Sequence, residues 1–432
     1  MRRSWRWAWA ILDPQVRPQD VDAARTALFE QLASAVVEID GRAGIPLCFD
    51  AVTGETVGSH RQRWHALMGF TGRNTDLAWY LLREAGRLDD EKDGRYRRLA
   101  TAILDTFTTL PASPPAGEGI DLETGRPVSS APHQARDDVM LLRGIAEGGK
   151  SMIRAWRHEA DRGRRHPEWL RWARELADWL MEQQRGDGSF PRSWLLASDT
   201  VAMESGFSSY NAIPFLVETH AATGEDRYLR AALRCGDYCW KYAGQREGVY
   251  VGGTLDNPDV VDKEAGTLSL EAYLALLEAT GDERRLEPAR AAADFAETWM
   301  YVWDARAAGP HWPAGVTTVG AQLIASGHSL VDQYMAFDVG SYAKLFSYTG
   351  DPHYRDVARL LLHNTKTMLA LPEHPYDLAG PGWQQEHWSF APPVGEGLHR
   401  YWLPWVTCAH LEGIAILEDH DPALARELIA GA

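Results

Sequence analysis

The stretch ATGEDRYLRAALRCGDYCW at 222–240 returns with changes as ATGDERRLEPARAAADFAETW at 279–299 and YTGDPHYRDVARLLLHNTK at 348–366. Each copy follows an apolar helical pattern, turns at Thr-Gly, meets an acidic residue and enters a second helical pattern. Glycine can take the left-handed conformation that ends a helix, having no Cβ to clash. The acidic residue suits the start of the next helix, where the dipole is positive. The repeating unit is therefore a helical hairpin with a short turn.

Weaker copies carry the pattern in both directions. NTDLAWYLLREAGR at 74–87 pairs with GRYRRLATAILDTF at 94–107. DDVMLLRGIAEGGKSMIRAW at 137–156 pairs with HPEWLRWARELADWLMEQQ at 166–184, and SYNAIPFLVETH precedes the turn at 223. Near the end, YWLPWVTCAHLEGIAILEDH turns at Asp421-Pro422 into ALARELIAG. Pro167, Pro352 and Pro422 fall near helix starts, where a missing N–H costs nothing. The count is six hairpins plus an N-terminal helix near 20–38. The first helix of each pair is apolar on more than one face, and the second alternates charged and apolar residues. An all-round apolar helix is buried and an amphipathic one faces water. Six such pairs predict an all-α, single-domain (α/α)6 barrel over 1–432, with 1–40 as an N-terminal extended segment plus helix. An open solenoid of helix pairs is the competing arrangement. Trp5, Trp7 and Trp9 alternate, which predicts that the first residues are extended.

Connections within pairs are short. Those between pairs are long, near 111–137, 185–206, 244–262, 301–328 and 371–397, and rich in Gly, Pro, Trp and Asp. Long ordered loops usually carry function. All of them fall where inner helices begin, so that end is the expected active face.

The chain has 432 residues, 45% hydrophobic and 24% charged, with a net charge of −16. That suits a large core and argues against nucleic acid or an anionic membrane as partner. No stretch is apolar enough to span a bilayer. The N-terminal apolar run is too short and Trp-rich for a signal peptide. A cytoplasmic location is the expectation. Cys48, Cys235, Cys239 and Cys408 are scattered; Cys235 and Cys239, four apart on a helix, read as buried small side chains rather than a metal site.

With its six hairpins and repeated Thr-Gly-acid turns, the chain resembles the six-hairpin glycosidase superfamily over nearly its whole length. GWQQEHWSF at 382–390 and YWLPWVT at 401–407 resemble segments of bacterial, β-glucuronidase-like members, and unsaturated glucuronyl hydrolases are a related branch. The resemblance implies a sugar-binding cleft at the inner-helix N-termini, usually with paired carboxylates, and no cofactor. N-acylglucosamine epimerases share a similar ring. QQRGDGSFPRSW at 183–194 also resembles the Gln-Trp repeat of triterpene cyclases, but one copy points to a helix cap and a tightened loop.

Glycoside hydrolysis needs a protonated carboxyl and a second carboxylate across a cleft. Acids at inner-helix starts are the pool: Asp138 (or its neighbour Asp137), Glu204, Asp262, Glu264 and Asp332. Asp262 also reads as a helix cap, and Asp338 as a structural hydrogen bonder. Asp332 lies four residues after His328, on one helical face under the loops. For sugar contact the candidates are His328, Trp383, Glu386, His387, Trp388, Tyr401, Trp402 and Trp405. His65, Arg61, Arg136, Arg192 and Tyr210 complete the set, with arginines suited to a uronate carboxylate. GWQQEHWSF lacks a second histidine at metal spacing, so no metal is expected.

The expected function is a glycoside hydrolase cleaving an oligosaccharide or glycoside, with a uronic-acid-containing substrate in view. A polysaccharide lyase would rely on Tyr210, Tyr334 and His328. A sugar epimerase would place His328 and His387 about the ring. A non-catalytic carbohydrate-binding protein is a further alternative.

Overall fold

A computed structural model describes residues 2–58, 63–88, 90–114, 116–130, 137–254, 259–305, 315–323, 330–389 and 400–430. Among these are fourteen α-helices. Six of them form an inner ring: α3 (Asn74–Ala85), α5 (Leu142–Ala160), α7 (Ala212–Thr223), α9 (Lys263–Thr280), α11 (Val339–Thr349) and α13 (Pro404–His420). Each packs on the next, and α13 returns to α3, so the ring closes. The open solenoid is excluded.

Outside stand α4 (Asp90–Phe107), α6 (Pro167–Glu182), α8 (Asp226–Lys241), α10 (Leu286–Glu297) and α12 (Pro352–Asn364), each against its preceding inner helix. The sixth outer position is shared by the two chain ends. Helix α2 (Val21–Ala35) packs on α13, with Phe29 stacked on Tyr96 of α4 at 6.0 Å between centroids. Helix α14 (Pro422–Ile429) lies against α12 and α13.

The inner helices are where the apolar material goes. Ile213, Phe215 and Leu216 of α7 are fully buried, each worth about 1.5–3 kcal/mol relative to exposure. Close approach needs small residues: a Cβ on Gly149 of α5 would meet the Phe215 ring at 2.5 Å. The inner-to-outer turns form as the Thr-Gly-acid pattern dictates. Gly224, Gly281 and Gly350 have φ of 72°, 65° and 67° and donate their N–H to the last turns of α7, α9 and α11. Asp282 and Asp351 then accept from the N–H of Arg284 and His353.

One expectation fails at the N-terminus. Residues Arg2–Leu12 are a helix, α1, not an extended segment. Trp5 and Trp9 are one turn apart and face inward, while Trp7 is 68% exposed, so their apparent alternation is a helical face. Trp5 donates to Glu297 at 2.6 Å, and Trp9 sits edge-on to His353 at 4.7 Å. Arg2 pairs with Asp294 at 2.7 Å and Arg6 with Asp351 at 3.1 Å, which fastens α1 across α10 and α12.

The long connections fold into short antiparallel sheets at the inner-helix N-terminal end. Val139–Leu141 pairs with Ser193–Leu195, which pairs with Val201–Met203. Gln322–Leu323 pairs with Leu330–Asp332, which pairs with Trp388–Ser389. Tyr401–Trp402 pairs with Phe49–Asp50. In the Gln-Trp-like segment, Gln184 donates to the carbonyls of Gly188 and Ala231, and buried Trp194 donates to Gln183 at 3.1 Å. The motif ties a loop to two outer helices. Cys235 and Cys239 are both buried thiols on α8. No helix among the described residues is long and apolar enough to cross a membrane.

Candidate active site

A pocket of about 300 Å³ opens at the loop end, lined by the starts of five inner helices or the residues just before them. Asp262 begins one wall. It caps α9, accepting from the N–H of Ala265 at 2.9 Å and of Gly253 at 2.8 Å. Burial, with Glu264 close by, pushes its carboxyl up to about 6. Lys263 and Glu264 follow in the first turn and both line the pocket.

Asp332 stands opposite, 2% exposed. It is not in the first turn of an inner helix. It ends the strand Leu330–Asp332, and a tight turn at Tyr334–Asp338 leads into α11. The reason is local: its Oδ1 accepts from the Tyr334 N–H at 3.0 Å, and pairing with Gln322–Leu323 and Trp388–Ser389 holds residues 330–332 extended. Its other oxygen is ion-paired with Lys263. Burial raises the Asp332 carboxyl above its ordinary value, although Lys263 acts in the opposite direction. His387 Nε2 lies 3.9 Å from Asp332 Oδ2 and 3.9 Å from Glu386 Oε1. Glu386 accepts from the Trp405 indole N–H at 3.0 Å.

Arginines form the floor. Arg143, the second residue of α5, donates to Glu147 at 2.9 Å, to the Gly253 carbonyl at 2.8 Å and to the Tyr334 hydroxyl at 2.7 Å. It is also ion-paired with Glu264. Arg73 pairs with Glu147 at 2.8 Å and lies over the Phe337 ring at 4.8 Å. Arg143 lies over Phe70 at 4.9 Å and Lys263 over Tyr334 at 5.0 Å. The walls are thus aromatic, and the buried cations Arg73, Arg143 and Lys263 each face a carboxylate, as burial demands.

Below the floor the charges continue along the ring axis. Lys150 is 2.8 Å from Glu271 and 3.9 Å from Glu412. Asp76, Cys408 and Glu412 bring ligand-type atoms within 4.8 Å of one another. Arg73 is already 3.4 Å from Asp76, and the Ser151 hydroxyl donates to Asp76, so a cation there would compete with the protein's own. Asp338, expected to be structural, accepts from Thr267 at 2.7 Å and is pushed up to about 8 by burial.

Of the residues singled out from sequence, the pocket gathers Asp262, Glu264, Asp332, Tyr334, Glu386, His387 and Trp405. Others lie elsewhere. Glu204 is exposed on the outside and pairs with Arg185. Asp138 is exposed ahead of a strand rather than at a helix start, because Val139–Leu141 pairs with Ser193–Leu195 before α5 begins. Trp383, Trp388 and Trp402 are 9%, 5% and 0% exposed and pack in core clusters, so they offer no open face to a sugar. Tyr401 is exposed but outside the pocket lining. Tyr210 is fully buried and donates to the Val251 carbonyl. Arg192 is consumed by the carbonyls of Gly252 and Thr254. His65 lies 3.6 Å from Asp121, away from the lining. Arg61, Arg136 and His328 lie outside the described residues. Unanticipated members are Arg73, Arg143, Lys263, Phe70 and Phe337. In LLRGIAEGGKSMIRAW, charges at 143, 147, 150 and 154 on an otherwise apolar helix were the available signal.

No family model matches the sequence, and no curated protein matches it. Solved structures do match the fold. A family 76 glycoside hydrolase, a mannosidase of Bacteroides thetaiotaomicron, superposes with a TM-score of 0.57 at 14% identity, covering 93% of this chain and 98% of that one. Cellobiose 2-epimerase of Bacillus thermoamylovorans gives 0.61 at 11% identity, covering 95% and 99%. An unsaturated glucuronyl hydrolase specific for heparin gives 0.54 at 14% identity, covering 93% and 97%. The chain therefore has the six-hairpin (α/α)6 fold that its sequence resembles. At these identities the likeness establishes the fold alone.

Proposed function

We propose that the chain is a sugar-processing enzyme, acting as one catalytic unit, that hydrolyses a glycosidic bond in the loop-end pocket. The observation that carries this reading is the pair Asp332 and Glu264 facing one aromatic-walled cavity in different settings. Asp332 is buried with its proton affinity raised, the condition for a general acid at the leaving oxygen. Lys263 stabilises the carboxylate left once that proton is given. Glu264, ion-paired with Arg143, is the second carboxylate, activating water or attacking the anomeric carbon. Phe70, Tyr334, Phe337 and Trp405 offer apolar surface to the ring faces. About 300 Å³ is at the small end of ligand sites and suits a short saccharide. Arg73, Arg143 and Lys263 already face Glu147, Glu264 and Asp332, which favours a neutral sugar over a uronate; the uronate expectation drew on Arg61 and Arg136.

The test is a panel of aryl glycosides and oligosaccharides with wild type, Asp332→Asn and Glu264→Gln. Each substitution should lower kcat/KM by about 10²–10⁴-fold. Wild-type turnover by either variant removes that residue from the chemistry. A second reading draws on His387, set between Asp332 and Glu386: proton transfer at a sugar carbon, as in an epimerase. Deuterium uptake from solvent into the product without release of a new reducing end would select it.

A further inference from the structure

The opposite end of the ring holds a second and larger cavity, about 690 Å³, bounded by the C-terminal ends of all six inner helices. Its described lining carries six permanent cations, Arg83, Arg87, Arg154, Arg157, Arg162 and Lys344, against the four carboxylates Asp161, Glu218, Glu278 and Asp419. This stands in a chain of net charge −16. Helix C-termini favour basic residues through the dipole, but on three of these helices the last carbonyls need no arginine. Gly224, Gly281 and Gly350 already satisfy them on α7, α9 and α11.

The cations divide into two sets. Arg87 shares Glu418, at 3.0 Å, with Arg25 and Arg83, but Arg83 and Lys344 also have carboxylates of their own: Asp419, and Glu278 at 2.9 Å. The three arginines at the end of α5 do not. Arg154 and Arg157 share Glu218. Arg154 reaches Glu271 only at 3.7 Å, a carboxylate Lys150 already holds at 2.8 Å. Its Nη1 is buried with no hydrogen-bond partner among the described residues. Arg162 donates to the His158 carbonyl at 3.0 Å and has no ion pair among the described residues.

We propose that this cavity is a binding site for a phosphoryl anion, either a free phosphate or pyrophosphate or the phosphate group of a small phosphorylated sugar, held by Arg154, Arg157 and Arg162. Guanidinium forks match such oxygens bidentately. A dianion would supply the counter-charge that Glu218 alone does not, and an acceptor for Arg154 Nη1. Two further observations agree. Arg157 sits below its ordinary pKa because of burial and then Arg154, and burial and then Arg162 push His158 down to about 4. In both, burial acts first and a neighbouring arginine second, while Arg154 itself is raised, Glu271 and Glu412 outweighing its burial. The inference is independent of the chemistry proposed at the loop end.

Isothermal titration of the full chain with inorganic phosphate, pyrophosphate and glucose 6-phosphate at physiological salt tests it. At least one probe should bind saturably with Kd below about 1 mM. Arg157→Gln with Arg162→Gln should weaken that binding by about tenfold or more, while Asp332→Asn leaves it unchanged. Glu218→Gln should tighten it, because the competing carboxylate is gone; this variant keeps the test decisive if the arginine pair does not fold. Glucose 6-phosphate binding at least about tenfold tighter than phosphate assigns the sugar ester as source, and equal binding assigns the free anion. Absence of saturable binding by all three probes overturns the proposal. So does binding indifferent to the arginines, or weakened by Glu218→Gln.

Discussion

The two ends of the ring are built from the same six inner helices and differ in almost everything else. At the loop end, connectors of many residues fold into small sheets and enclose an aromatic pocket of about 300 Å³. At the turn end, short turns, three of them Thr-Gly, close the hairpins and leave a wider polar cavity of about 690 Å³. Helix dipoles alone would put acids at the first end and bases at the second, and Asp262 with Glu264, or Arg154 with Arg157, follow that rule. The informative residues run against it. Arg73, Arg143 and Lys263 bring positive charge to the positive helix ends. They lie buried, so each must hold a carboxylate in place. At the turn end the cations follow the dipole, and Arg83, Arg87, Arg157 and Lys344 lie nearer water. The loop end is therefore an electrostatically exact device, and the turn end a tolerant one.

The strongest way to break this contrast is Arg143→Ala. It leaves Glu147, Glu264 and the Tyr334 hydroxyl facing one another without their common donor. Removing one partner of a buried charge pair costs about 3–5 kcal/mol. Urea unfolding should register a loss of that size. A loss under about 1 kcal/mol, the range of exposed pairs, would show the loop end to be as tolerant as the other.

A pH experiment sharpens the same contrast at a smaller scale. Glu118 is fully buried at the loop end, accepting from the Leu141 N–H at 2.8 Å and from the Ser130 hydroxyl. Burial pushes its carboxyl up to about 8 from an ordinary 4.5. Between those values the folded chain holds a proton that the unfolded chain has released. Its contribution to stability is complete below pH 4.5 and is lost as pH rises toward 8. Glu118→Gln should make the decline of stability over that window shallower by up to about 1.4 kcal/mol per pH unit. An unchanged slope from urea titrations at several pH values would mean that Glu118 is ionised in the folded chain.

How much of this could be read beforehand follows from the range of the interactions. Hairpins are local: a helical period, a left-handed glycine and an acidic cap lie within twenty residues, so the ring and its loop-bearing face were legible. Asp262, Glu264, Asp332, Glu386 and His387 were legible as polar residues beside inner-helix entries. The strand Val139–Leu141 was not, because its partner Ser193–Leu195 lies some fifty residues away, and apolar residues before a helix read as more helix. Asp138 was misplaced for that reason. Tryptophan misleads differently. An indole suits a sugar face and a core equally well, and Trp383 and Trp402 chose the core, edge to face with Phe49 at 6.0 and 5.2 Å. Arg143 was hidden because its need for partners from α9 and the Tyr334 turn is a tertiary fact.

The smallest expected effect tests the tolerant end directly. Lys344 and Glu278 stand 2.9 Å apart at the rim of the turn-end cavity, with side chains 19% and 34% exposed. Their distance matches that of many buried pairs, so geometry alone would rank them with Arg143 and Glu147, also 2.9 Å apart. The environment decides otherwise. Water screens the rim pair and solvates either partner when the other is removed, so nothing is left stranded. A double-mutant cycle of Lys344→Met and Glu278→Gln should give a coupling of about 0.2–1 kcal/mol that shrinks with added salt. A coupling of several kcal/mol, insensitive to salt, would mean that the rim is as dry as the loop-end floor. The distinction between an exacting end and a tolerant one would then fail, because equal separations would carry equal energies wherever they occur in the ring.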